Sequence, residues 1–224
     1  MKHDRFPSFT DPDADGADAA RIGPNAVIQL GEAFRAQGEE DLGRAVYAAA
    51  RCPDWFDAPP GEMIGEDAVA SLHRALYRMA SPPLARALSD DAGARTGAYI
   101  LANRIPAPAR VLLRALPAGP AARILLSAIS AHAWTFAGSG VFAHAGHRPT
   151  TVLIAHNPLA IAPGCVWHTA VFRTLFRELV HAQASVTETE CCGRGDPACR
   201  FEIDWMRPAR IAPVGLASLA FLTA

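Results

Sequence analysis

Three cysteines and two carboxylates crowd one short segment, Glu188-Thr-Glu-Cys191-Cys192-Gly-Arg-Gly-Asp-Pro-Ala-Cys199, and Cys165 stands upstream of it. Thiolates and carboxylates are donors that zinc accepts, four at a time in a tetrahedron, so Cys165, Glu188, Cys191 and Cys199 read as one four-ligand site. The spacing lacks the paired C-x2-C of a zinc ribbon, and two other readings stay open. Small buried cysteines beside a tight turn would leave the same letters. A disulfide from Cys199 to Cys191 or Cys192 is the third reading, and no secretion signal supports it. An iron–sulfur cluster also uses four cysteines, but a set that includes Glu188 suits zinc better. His168, three residues past Cys165, is a substitute ligand should Glu188 point elsewhere.

These side chains need a frame. Gly193, Gly195 and Asp196-Pro197 are turn residues between two stretches with strand character, about 183–191 and 199–205, which predicts a hairpin folding Cys199 back on Cys191. Between Cys165 and the hairpin, Val171, Leu175 and Leu179 recur at helical spacing, predicting a helix from about Val166 to His181. Thr135–His144 and Thr150–His156 read as further strands, joined to that helix by a Pro-interrupted apolar link, Asn157–Gly164. Ahead of Trp134 the texture is helical: Pro24–Arg51 with a break at Gln37-Gly38, then Asp67–Met79, Leu84–Asn103, and short segments at 108–116 and 120–133. Helices first and then an antiparallel sheet crossed by one helix make an α+β plan enclosing an apolar ligand pocket. Residues 1–22, with alternating Asp and small residues, read as a disordered tail. A single domain is expected over 23–208, helical to 133 and sheet-based from 134, followed by an apolar tail over 209–224.

Other chemistry is excluded. The Asp11–Asp18 run lacks the twelfth-position Glu of a calcium loop, since Ile22 stands there. Gly138-Ser-Gly140-Val-Phe-Ala143 fits a dinucleotide fingerprint by letter only, because a strand follows it and the next acid after Gly140 is Glu178. With a net charge of -1, no strong field invites nucleic acid. No apolar run reaches the ~20 residues of a membrane span. Cytoplasmic residence is expected, with weak peripheral membrane contact the minor reading of uncharged Ile211–Ala224.

The pattern Glu-x-x-Cys, a Gly-Asp-Pro turn and Cys-x-Phe-x-Ile, with one more cysteine before a helix, resembles the 4-vinyl reductase domain family. The resemblance implies a structural zinc held by Cys165, Glu188, Cys191 and Cys199. It also implies a cavity for a hydrophobic ring compound and subunits paired through their helices. For members in pigment synthesis the ring would be a vinyl-bearing Mg-tetrapyrrole, and the enzymes of bacteriochlorophyll synthesis would be partners. Such a chain would hold or deliver the tetrapyrrole, or reduce its C8 vinyl group; a stand-alone sensor of small aromatics is the weaker option. No nicotinamide or flavin site is legible, which favours binding over reduction. An axial imidazole for magnesium would come from His132, His144, His147, His156 or His168, and pocket walls from Tyr99, Trp134, Phe136, Phe142 and Trp167. Arg104, Arg110 and Arg114 would meet propionates. Each of these residues also has an ordinary role as core or surface.

Overall fold

The structure, a computed structural model, describes residues 21–131, 150–154, 157, 159–161 and 164–205. Four layers follow from which helices are apolar on one face and which on two. α1 (Asn25–Ala36) and α2 (Glu40–Ala49) each bury one side, Val27, Leu30 and Phe34 on the first and Val46 and Tyr47 on the second. The Tyr47 hydroxyl donates to the Val27 carbonyl at 2.6 Å, satisfying a buried polar group inside this layer. Phe56, on a short 3-10 turn (Pro53–Phe56), packs edge-on to Tyr47 with ring centres 5.3 Å apart. α3 (Glu66–Met79) closes this layer through Val69, Leu72 and Leu76.

α4 (Pro82–Asn103) lies against α1 on one side and α7 (Val166–Leu179) on the other. Its two prolines sit in the first turn, where a missing N–H costs no helical bond. Buried on two sides, it carries small residues at its crossings: Ala85, Ser89, Ala92, Gly93 and Gly97. A Cβ built at Gly93 would fall 2.3 Å from the Trp167 carbonyl oxygen, so α4 and α7 meet backbone to backbone. Both Asp90 oxygens accept from Arg173 Nη2 at 2.8 Å across the same contact. Beyond α4, short helices α5 (Ala107–Ala115) and α6 (Ala118–Ala131) pack on one another, and α5 also reaches α7.

The last layer is a three-stranded antiparallel sheet in the order β3-β5-β4, with β3 Thr150–Ile154, β4 Ser185–Glu190 and β5 Cys199–Asp204. β5 alternates strictly, burying Cys199, Phe201 and Ile203. The β4–β5 ladder runs Ser185 with Asp204, Val186 with Ile203, Thr187 with Glu202 and Glu188 with Phe201, then slips by one residue so that Glu190 meets Arg200.

The architecture is α+β, as the order of periodicities predicts. One boundary differs. Residues Arg21–Ile22, predicted as the end of the disordered tail, form a strand (β1) paired antiparallel with Ile64–Gly65 (β2), and Ile22 is buried in the core. The readings of a tail over 1–20, a strand at Thr135–His144 and an apolar tail over 209–224 lie outside the described residues.

Candidate metal centre

Cys165 caps the N-terminus of α7, directly after buried Gly164. Its backbone N–H donates to both carboxylate oxygens of Glu188, each at 3.0 Å. That approach needs glycine at 164, where a Cβ would fall 2.4 Å from Glu188 Oε2. Glu188 comes from the inner face of β4, opposite buried Phe201, and its side chain is 11% exposed. Arg194 Nη1 stands 3.4 Å from the outer edge of the same carboxylate.

The slip in the ladder decides where Cys191 goes. Side chains alternate along a strand, so regular pairing would set residue 190 opposite Cys199 and send Cys191 to the outer face. The bulge instead leaves Glu190 outside, 3.1 Å from Arg200 Nε, and brings Cys191 inward. From there the chain turns back at once. The Cys191 N–H donates to Asp196 Oδ2 at 2.7 Å, the backbone N–H groups of Arg194 and Asp196 donate to the Cys191 carbonyl, and Gly195 sits at φ 93°. Cys199 then opens β5 on the inner face, beside Ile154 of β3.

Cys165 Sγ lies 3.5 Å from Cys191 Sγ and 3.4 Å from Cys199 Sγ. With a Glu188 oxygen, these ligand atoms all fall within 4.8 Å of one another, a group that could hold a metal ion. A tetrahedral ion with metal–sulfur bonds of about 2.3 Å would set its sulfurs roughly 3.8 Å apart, so a few tenths of an ångström of expansion admits it. The three cysteines are buried to 1% exposure or less. None of the five cysteines is in a disulfide, which disposes of the hairpin bridge.

Protons are shared unevenly. The Cys199 thiol is lowered to about 6, chiefly by the hydrogen bond from Cys165, then by donors from the Cys192 N–H and Asn157 that outweigh its burial. Cys165 is pushed up as the donating partner, and burial pushes Cys191 up to about 11. Three thiols packed together cannot all ionise alone; a cation that replaces their protons removes the conflict.

Asn157 is the residue that sequence reasoning missed. Its Nδ2 is 3.3 Å from Cys165 Sγ, 3.5 Å from Cys199 Sγ and 3.4 Å from His168 Nδ1, and its Oδ1 accepts from the Leu159 N–H at 3.0 Å. The signal was a lone polar side chain in an otherwise apolar link, which burial obliges to find partners. Hydrogen bonds to ligand sulfurs orient them and temper their charge. Asn157→Ala should therefore weaken metal affinity by roughly ten- to a hundredfold while the fold persists, as read by competition against a chelator.

His168 is not a substitute ligand. Glu188 points inward, and the His168 ring is buried between Trp167 and Phe201, with burial holding its pKa down to about 3. Trp167 is likewise core, 4% exposed against α4. Tyr99 is half-buried beside Arg104, 6.0 Å from its guanidinium carbon, and is not among the cavity residues. Trp134, His144 and the other aromatics and histidines from 132 to 156 lie outside the described residues. The cavity itself lies between helices rather than against the sheet: about 370 Å³ among the end of α4, α5, α6 and α7. Ile100, Leu113, Leu125, Ile129 and Leu175 line it, with Phe172 its one aromatic and Arg104 its one charge. Arg110 and Arg114 are engaged instead with the Leu101 carbonyl and with Glu178.

A mixed helical and sheet unit whose last strands converge three cysteines and a glutamate is the arrangement of a 4-vinyl reductase domain, and residues 153–204 match that domain. The chain is 46% identical over 190 residues to the bacteriochlorophyll synthase 23 kDa chain of Cereibacter sphaeroides, covering 83% of this chain and 91% of the relative. It is 40% identical over 191 residues to the bacteriochlorophyll synthase 23 kDa chain of Rhodobacter capsulatus, covering 82% and 87%. The chain belongs to the family of these 23 kDa chains, with a 4-vinyl reductase domain toward its C-terminus.

Proposed function

We propose that Cys165, Glu188, Cys191 and Cys199 hold one zinc ion in a closed structural site, and that the chain binds a tetrapyrrole intermediate of bacteriochlorophyll synthesis. Three sulfurs and one carboxylate suit zinc, whose thiolate-rich sites are tetrahedral. The single observation that carries the reading is the completeness of the set: four protein ligands fill a tetrahedron and leave no position for substrate. Zinc bound this way supplies folding energy and ties the hairpin to the start of α7.

The ring compound belongs in the aliphatic cavity on the far side of α7. Its volume is within the ~300–1,000 Å³ of small-molecule sites, and its lining has one charge, Arg104, to meet a ligand carboxylate. No lining side chain there is an acid, a thiol, an imidazole or a phenol, so the walls can shelter and orient a ring but have no group to pass it a proton. This supports holding or delivery over reduction of the C8 vinyl group. The working unit is the domain over 23–208, and the family resemblance supports two copies joined through their helices.

The test mixes purified protein with divinyl protochlorophyllide, with and without NADPH. A shifted absorption band with the vinyl group intact supports the carrier. Loss of the vinyl group with NADPH establishes the reductase in its place, and an unshifted spectrum removes the ligand assignment.

A further inference from the structure

Charge is unevenly placed along this chain. From Asp91 to Glu178 there intervene 86 residues with eight arginines and no Asp or Glu; all 22 acids lie outside that stretch. The structure folds much of it into the end of α4, α5 and α6. There the usual order of an amphipathic helix is reversed. On α5, buried Leu113 faces inward, while Pro108, Val111, Leu112 and Ala115 face solvent. Val111 is 67% exposed, Leu112 59% and, across the cavity mouth on α6, Ile124 48%. Arg104, Arg114 and Arg123 are exposed around them. Exposed apolar side chains ringed by one sign of charge mark a docking surface rather than a solvated face.

The charge pattern chooses among occupants. A second copy seated symmetrically on this face would bring arginines toward arginines, and the acid at its edge, Glu178, is already engaged by Arg114. An anionic bilayer offers both complements at once, a hydrocarbon boundary for the apolar side chains and phosphates for the guanidinium groups.

We propose that the α5–α6 face seats the protein on an anionic lipid surface, with Val111, Leu112 and Ile124 entering the headgroup boundary and Arg104 and Arg123 meeting lipid phosphates. The inference does not rest on the ligand reading, although it would set the cavity mouth against the bilayer. No helix among the described residues is long and apolar enough to cross a membrane, so the contact is a lying one.

The test is co-sedimentation of the full chain with vesicles rich in phosphatidylglycerol and with pure phosphatidylcholine, at low and high salt. Binding should favour the anionic vesicles and fall as salt rises. Val111→Asp should abolish it, and Arg123→Glu should weaken it roughly tenfold or more. Both positions are exposed and neither lines the cavity, so the variants should fold, keep their metal content and bind ring compounds as before. Equal binding to both vesicle types, no binding, or binding that survives Val111→Asp overturns the proposal. So does a change of oligomeric state in these variants with vesicle binding unaltered.

Discussion

Cys199→Ser should release the bound ion and the fold together. Cys199 Sγ is the hub of the cluster: it faces Cys165 Sγ at 3.4 Å and accepts from Asn157 at 3.5 Å and from the Cys192 N–H at 3.4 Å. A serine oxygen sits on a shorter bond, is a harder donor and stays protonated at neutral pH, so it neither reaches an ion nor balances its charge. A closed zinc site contributes on the order of 10 kcal/mol at neutral pH. Domains of this kind are stable by only about 5–15 kcal/mol, so the loss consumes most of the margin. Metal analysis after gel filtration should show the variant empty, and circular dichroism should show its melting transition lowered or gone. Cys52→Ser is the control, because Cys52 is also buried yet stands outside the cluster and should keep the full metal content. A Cys199→Ser protein that melts like the parent and carries a full complement of metal would remove the ligand assignment.

Gly93→Val should cost about 3 kcal/mol or more, at or beyond the upper end of ordinary overpacking. Its Cβ would stand 2.3 Å from the Trp167 carbonyl oxygen, 3.1 Å from that carbonyl carbon and 2.8 Å from Ala170 Cβ. The obstacle is backbone, which cannot rotate aside as a side chain can. Relief requires α7 to move off α4, and the most extensive helix contact in the described structure opens with it. Trp167 is two residues from Cys165, so the same shift pulls a ligand from its place. A urea midpoint shifted downward with unchanged slope, together with faster metal loss to chelator, is the expected pair of results. Gly119→Ala is the contrast: nothing lies within 4 Å of its added Cβ, and stability should hold or rise slightly. Equal behaviour of the two variants would mean that α4 and α7 do not meet at Gly93.

How much of this was legible in the letters depends on what left a period. α7, β4 and β5 were readable because the 3.6- and 2-residue repeats of Val171-Leu175-Leu179 and Cys199-Phe201-Ile203 survive in the sequence. Elements without a repeat were not. β1 and β2 have two residues each, and their pairing spans some forty positions, too little pattern over too great a distance. The four cluster residues could be nominated by donor chemistry, but Asn157 and Gly164 act through contacts that only the folded chain creates. Pocket walls were the least readable part. Aromatic type pointed to Tyr99 and Trp167, whereas the cavity is mostly aliphatic, since a side chain's size says nothing about which void it borders.

The displaced ladder between Glu188 and Glu190 has a consequence for how this segment can vary. Thr189 and Glu190 do no coordinating work, so many residue types should be accepted there. Removing either one is another matter: the strand would close up by one step, and Cys191 would swing to the opposite side of the sheet from its partners. The count of residues between the glutamate and the cysteine is therefore held more tightly than their identity. A library of point changes over these two positions should be broadly tolerated, and a single-codon deletion should not.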